Sequence, residues 1–310
     1  MCYDCVIHDR HIGIVRRMIL PFRPSRTALG SAAARAAHLI VDGEPTIYAD
    51  PLAGALLGPD AEPMLAFHRV YSSTPVLAGA RTEAVCRSRF AADARTRSGA
   101  GQHVILGAGL DTTAYRPSGC GPTTSPATPA ASTVLEVDTP EMSRWKRAAL
   151  ARAGIDVPAS ARLVGADLRT DPLLPALTAA GFDADRPAFV SCLGVMMYLT
   201  PASVAVLLQS VAACAPGTVL VADYLLAPHL RDEPGSAYAA AVGQAAGENG
   251  EPWLSTWTPA DLTAALRHAG FTDVTHRTQR DAIDPVLWDR TDALRPMALS
   301  GLVQAAVGPR

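Results

Sequence analysis

The sequence lacks a dominant charge: 27 basic side chains stand against 29 acidic ones over 310 residues, a formal net charge of −2. Nucleic acid and anionic membrane surfaces are recognised by basic patches, so neither is expected as a partner. It also lacks a long apolar run near its start. His8, Arg10, His11, Arg16 and Arg17 interrupt the Ile and Val residues of the first twenty positions, too often for a signal sequence or a membrane span. Cysteines are few and scattered, at 2, 5, 86, 120, 192 and 214. Only Cys2 and Cys5 form a CxxC, with no second pair or histidine cluster beside it, so reduced thiols, no metal and a cytoplasmic protein are expected. What remains is 49% hydrophobic and 18% charged residues, the composition of a globular protein with a sizeable core and a small-molecule partner.

Three regions follow along the chain. Residues 1–24 read as an N-terminal extension ending at Pro21 and Pro24. Residues 25–100 read as a helical N-terminal cap: an alanine-rich helix opens behind Ser25, with further helices across Pro51–Leu57 and Pro75–Thr96. From 101 to 310 the pattern changes to short β-type runs at 103–106, 133–137, 162–166, 188–193 and 218–224. They alternate with helix candidates at 112–117, 141–153, 173–180 and 201–215. Near-continuously apolar strands separated by helices predict a parallel sheet covered on both faces, a doubly wound, Rossmann-like α/β fold. A Gly/Pro/Ser/Thr-rich loop at 119–132 and an insertion at 231–257, long enough to form a lid or an extra helix, interrupt the scheme. Two last runs, 270–279 and 300–307, lack a helical crossover of ordinary length, which predicts an antiparallel pair at the sheet edge.

In such a fold the crevice lies beyond the carboxyl ends of the strands. Gly107-Ala108-Gly109 follows the first strand, Asp138 the second and Asp167-Leu168 the third. Glycine admits a ligand close to the backbone. A carboxylate at Asp138 accepts both hydroxyls of a ribose through charge-assisted hydrogen bonds; Asp167 accepts from an exocyclic amine, and Leu168 walls the ring. Each feature alone is an ordinary turn or helix cap, but together they favour a nucleoside ligand. NAD is the alternative, weakened because Thr112 stands where a dinucleotide fingerprint wants its third glycine.

The stretches VILGAGLDTTAYRP, VLEVDTPEMSRWKRAAL, VGADLRTD and GVMMYLTPASVAVLL, in this order, resemble the leucine carboxyl methyltransferase-like family of class I S-adenosylmethionine-dependent methyltransferases, with bacterial O-methyltransferases of polyketide and other secondary metabolism among its members. SRTALGSAAARAAH, ADPLAGALL and RTEAVCRSRF are similar to its helical N-terminal part, and EPWLSTWTPADLTAALRHAGF to its C-terminal part. The resemblance implies a seven-stranded, mostly parallel sheet with one antiparallel edge strand, S-adenosyl-L-methionine as cofactor and O-methylation of a small metabolite. It implies that Arg81 grips the cofactor's methionine carboxylate, that Gly107, Ala108 and Gly109 pass beneath the methionine part, and that Asp138, Asp167 and Leu168 hold the adenosine. Leu193 stands where the family often carries a cofactor-contacting glutamate, which leaves a backbone contact there. Tyr198, Tyr224 and His229, beyond the fourth and fifth strands, are candidates for contact with the acceptor, with Trp253 as a wall for an aromatic one. A carboxylate acceptor needs no general base, whereas an alcohol or phenol gains from one. Two other readings stay open: a cofactor-binding protein that catalyses a non-methylating cyclisation or rearrangement, and a non-catalytic cofactor-binding protein. Assembly stays open between monomer and homodimer.

Overall fold

The computed structural model describes residues 24–116 and 133–309. The expected extension up to residue 23 and the 119–132 loop, with Cys2, Cys5 and Cys120, lie outside the described residues. Four helices come first: α1 (Arg26–Val41), α2 (Ala53–Leu56), α3 (Ala61–Val70) and α4 (Pro75–Ser98). Then follow β1 (Gln102–Leu106), β2 (Thr133–Asp138), α5 (Pro140–Arg152), β3 (Ala161–Gly165), α6 (Leu173–Ala179), β4 (Phe189–Cys192), α7 (Pro201–Ala212) and β5 (Val219–Leu225). The chain closes with α8 (Glu233–Glu248), α9 (Pro259–Ala269), β6 (Thr275–Arg277), α10 (Gln279–Ala282) and β7 (Ser300–Ala306).

Local chemistry sets several of these boundaries. Ser25 caps α1 by accepting the Ala28 amide at 3.1 Å. Four later helices open on Thr-Pro, and in three of them Thr139, Thr200 and Thr258 accept the amides of Met142, Ser203 and Asp261, with the following proline at the first helical position. A threonine oxygen satisfies an orphan N–H there, and proline has none to lose. The helix expected at 112–117 is replaced by turns over residues 113–116. The Thr112 hydroxyl is drawn to Asp50 at 2.6 Å, and the Thr113 amide to Asp111 at 2.7 Å, so side-chain bonds compete with the first helical turn. Helix α3 was not anticipated; it starts without a side-chain cap.

The seven strands form one sheet in the order β3-β2-β1-β4-β5-β7-β6. Strands β1 to β5 pair in parallel, while β7 runs antiparallel to both β5 and β6. The antiparallel edge is as expected. Alternation along β5 divides the layers: Leu220, Ala222 and Tyr224 join the core beneath α6, α7 and α9, and Val221 joins the core beneath α4. Fully buried Leu106, Leu135 and Val204 anchor the first of these, each worth about 1.5–3 kcal/mol of apolar burial. Helices α1, α2 and α5 share a further core through Ala33, Leu56 and Leu150. That core holds the N-terminal helices against the end of the sheet where β1 and β2 finish.

Candidate active site

The glycine turn leaves β1 with Gly107 at φ 63° and Gly109 at φ 42°, the left-handed region that favours glycine. A Cβ on Gly107 would also fall 2.3 Å from Val195 Cγ2. The turn is tied to the end of β2. The Ala108 amide donates to Val137 O at 3.0 Å, and the Gly109 amide to Asp138 Oδ2 at 2.7 Å. Asp138 Oδ1 accepts the Thr139 amide at 2.8 Å. A carboxylate offers about four lone-pair positions, so two remain beside the turn. Burial pushes Asp138 above the usual carboxylate range, against the two amide bonds and the charge of Lys146. A narrow hollow lies alongside, bordered by Gly109, Asp138, Glu136, Lys146 and Met142.

Strand order places β1, β2 and β3 side by side, so the three expected sites share one end of the sheet. Asp167 follows β3 and holds Arg169 at 2.7 Å, with the arginine mostly exposed. The hydrogen bonds from Arg169 keep Asp167 below its ordinary value. Leu168 is half-buried against the main core.

A second polar cluster stands at the ends of β4 and β5, on the α4 face. Gly194, at φ 68°, donates its amide to Asp223 Oδ1 at 2.5 Å. Arg87 of α4 lies 3.4 Å from Asp223 Oδ2 and donates to Ser31 Oγ at 2.8 Å. Its guanidinium is 3.0 Å from where a Cβ on Gly194 would sit. One turn earlier on α4, Glu83 accepts from Gln279 Nε2 and from Ser300 Oγ, and burial pushes its carboxyl up to about 7. Tyr238 of α8 covers this part of α4: a Cβ on Gly79 would fall 2.8 Å from its ring. Burial raises the Tyr238 phenol, and the nearby Glu83 charge adds to it. Sequence reasoning missed Glu83, Arg87, Asp223 and Tyr238 as a group. The available signals were the four-residue spacing of Glu83 and Arg87 and a lone aspartate inside the apolar run of β5.

Several expected residues are employed elsewhere. Arg81 is fully buried, with Nε and Nη2 on Asp42 at 2.8 and 2.9 Å and Nη2 also on Ser72 O at 2.6 Å. Its third nitrogen faces His68 Nδ1 at 3.3 Å. The guanidinium thus joins α4 to the loop after α1, and its planar fork is already matched by a carboxylate. Tyr224 points to the opposite face of the sheet from Asp223, where its hydroxyl meets His276 Nδ1 at 2.8 Å. Gly301 makes room for that ring, since a Cβ there would fall 2.4 Å from Tyr224 Cζ. His229 is exposed in the short turn Pro228–Leu230. Leu193 is half-buried against the α4-face core. Tyr198 is half-buried with Tyr238 and Trp253 beside Met197 and Met297.

The 231–257 insertion is mostly helix α8, capped by Asp232 through the Gly235 amide. The chain beyond α8 meets the start of α1: Thr27 Oγ1 donates to Glu251 Oε2 at 2.9 Å and Arg26 Nη1 to Asn249 Oδ1 at 3.3 Å.

A parallel sheet with one reversed strand near its edge, carrying a glycine turn and an acid at the ends of its first two strands, defines a Rossmann-like fold of the class I methyltransferase type. Residues 28–212 match the model of the leucine carboxyl methyltransferase family; that is more than half of the chain, and the chain belongs to this family. A candidate S-adenosyl-L-methionine-dependent methyltransferase of Mycolicibacterium gilvum is 42% identical over 125 residues, 40% of this chain and 38% of the relative. One from Mycobacterium bovis is 39% identical over 149 residues, 46% of each chain. The chain thus spans less than half the length of these curated relatives. Among solved structures, a candidate methyltransferase of Thermobifida fusca aligns over 93% of this chain and 96% of its own, with a TM-score of 0.57 at 17% identity, a likeness of fold.

Proposed function

We propose that the protein is a methyltransferase that binds S-adenosylmethionine over the ends of β1, β2 and β3 and methylates an oxygen of a small-molecule acceptor in the cytoplasm. One observation carries the reading: Asp138, fastened by the amides of Gly109 and Thr139, keeps two acceptor positions free beside a glycine turn. That donor and acceptor set fits a ribose diol. When bound, the cofactor supplies an electrophilic methyl group on a sulfonium. In this reading Asp138 takes the ribose hydroxyls, Gly107 to Gly109 allow close approach, Leu168 walls the base and Asp167 accepts from its amine. Exchanging Arg169 for that amine is open to Asp167 because their pair is solvent-facing.

The acceptor belongs, on the same reading, to the second cluster. Arg87 offers a fork suited to a carboxylate, and Tyr198, Tyr238 and Trp253 supply aromatic walls on the α8 side. No helix among the described residues is long and apolar enough to cross a membrane. The experiment is calorimetric titration with S-adenosylmethionine and, separately, NAD, followed by incubation with carboxylate and phenol acceptors and mass spectrometry. Binding of the first ligand alone and a product gaining one methylene unit are expected. Leu193 offers no side-chain hydrogen bond at its position, so a rearrangement catalyst is the competing reading. An isomer of the substrate as product would favour it.

A further inference from the structure

We propose that Lys146 and Glu136 form a positioning pair that keeps the Asp138 carboxylate charged and aimed at the diol of a bound nucleoside. The inference rests on the cofactor reading above. Glu136 and Asp138 are two residues apart on β2, hence on the same face of the strand. Lys146 reaches Glu136 from the second turn of α5, its Nζ 2.8 Å from Glu136 Oε2, with both side chains almost completely buried. Tyr115 donates to the same Oε2 at 2.6 Å. Glu136 Oε1, also buried, accepts from no donor among the described residues, and the Lys146 ammonium has no partner in hydrogen-bond alignment. Both side chains border the hollow that Gly109 and Asp138 also line.

Fold stability does not account for this pair. A buried ion pair is commonly replaced by apolar residues at no loss, and here one carboxylate oxygen is left without a donor. Its location does account for it. Two carboxylates on one strand face, Glu136 buried and Asp138 half-buried, oppose each other's ionisation, and the ammonium paired with Glu136 favours the charged form of both. The remaining titratable and charged groups nearby are Asp111 and the neutral Tyr115 from the segment after the glycine turn, Asp167 from beyond β3, Arg35 from α1 and Arg147 from α5. None of these cations pairs with Asp138, and the charge that lowers it is that of Lys146.

The test titrates Asp138 directly, by the NMR shift of its carboxyl carbon in the cofactor-free protein, and measures S-adenosylmethionine affinity against pH by calorimetry. It uses the wild type, Lys146→Met, Lys146→Arg and Glu136→Gln. In Lys146→Met the Asp138 midpoint is expected to rise by about one pH unit or more, with the acid limb of binding moving alongside. In Glu136→Gln, which leaves the ammonium uncompensated, both move down, and Lys146→Arg restores the wild-type midpoint. Opposite movements separate a charge role from a structural one, which would weaken binding at every pH without moving the limb. Glu136→Gln retains the lysine and the side-chain shape, so it decides the matter should Lys146→Met fail to fold. Midpoints that stay fixed, or move the same way in both variants, overturn the inference. Opposite NMR shifts in a protein that binds no S-adenosylmethionine at any pH would support the charge pairing while refuting the cofactor reading and the diol contact with it.

Discussion

The two halves of the site are built in different ways. At the ends of β1 and β2, ligand-facing geometry comes from backbone: two left-handed glycines, an amide bonded to Val137, and a carboxylate held by two amides. At the ends of β4 and β5 it comes from side chains on four distant elements, with Glu83 and Arg87 on α4, Asp223 on β5, Tyr238 on α8 and Ser300 on β7. In the proposed reading the first half would hold the cofactor through backbone geometry, and the second would hold the acceptor through several side chains at once.

The largest expected effect tests where the arginines of α4 belong. Removing Arg81 in Arg81→Ala strands a buried Asp42 carboxylate, and about 3–5 kcal/mol of folding stability should be lost in urea unfolding. If Arg81 also served the ligand, binding by the folded protein would fall in proportion; it is expected to stay within about threefold, an equivalent of under 1 kcal/mol. Next comes the buried carboxyl in the second half. Glu83 has a folded value of about 7 against 4.5 for its unfolded reference. Between those values the folded state holds a proton that the unfolded state has released, so stability falls as pH rises from about 4.5 to about 7, by about 3 kcal/mol. Glu83→Gln should remove that fall, and thermal melts giving parallel pH curves for the two proteins would refute it.

A smaller effect is expected at the backbone-built half. Asp138→Ala leaves two amides without their acceptor and should weaken S-adenosylmethionine binding by about 1.5–3 kcal/mol, read by calorimetry. An unchanged dissociation constant would detach the glycine turn from the ligand. The smallest belongs to Asp167→Ala. Its partner Arg169 is mostly exposed, so stability should change by less than about 1 kcal/mol and affinity by less than in Asp138→Ala.

This contrast also decides what was legible beforehand. Periodicity shows the alternation of strands and helices, and Thr139-Pro140 marks the start of α5, because caps and apolar runs are local. Gly107, Gly109 and Asp138 were legible for the same reason: a turn and an acid at strand ends carry their meaning within a few residues. The fate of Arg81 was not, since Asp42 lies 39 positions upstream and only the packing of α4 on α1 brings them together. The direction of Tyr224 is a matter of parity. One position along β5 separates the face with Arg87 from the face with His276, and a strand buried on both faces does not say which face carries the site.

The contact between Thr27 and Glu251, with Arg26 and Asn249 beside it, fastens the first helix to the tail of the insertion across more than two hundred residues of chain. Two such surface bonds hold with about 2 kcal/mol in total, so a few per cent of molecules would stand unlatched at any moment. Opening of that clasp would free the segment carrying Trp253, two residues beyond Glu251, from the start of α1.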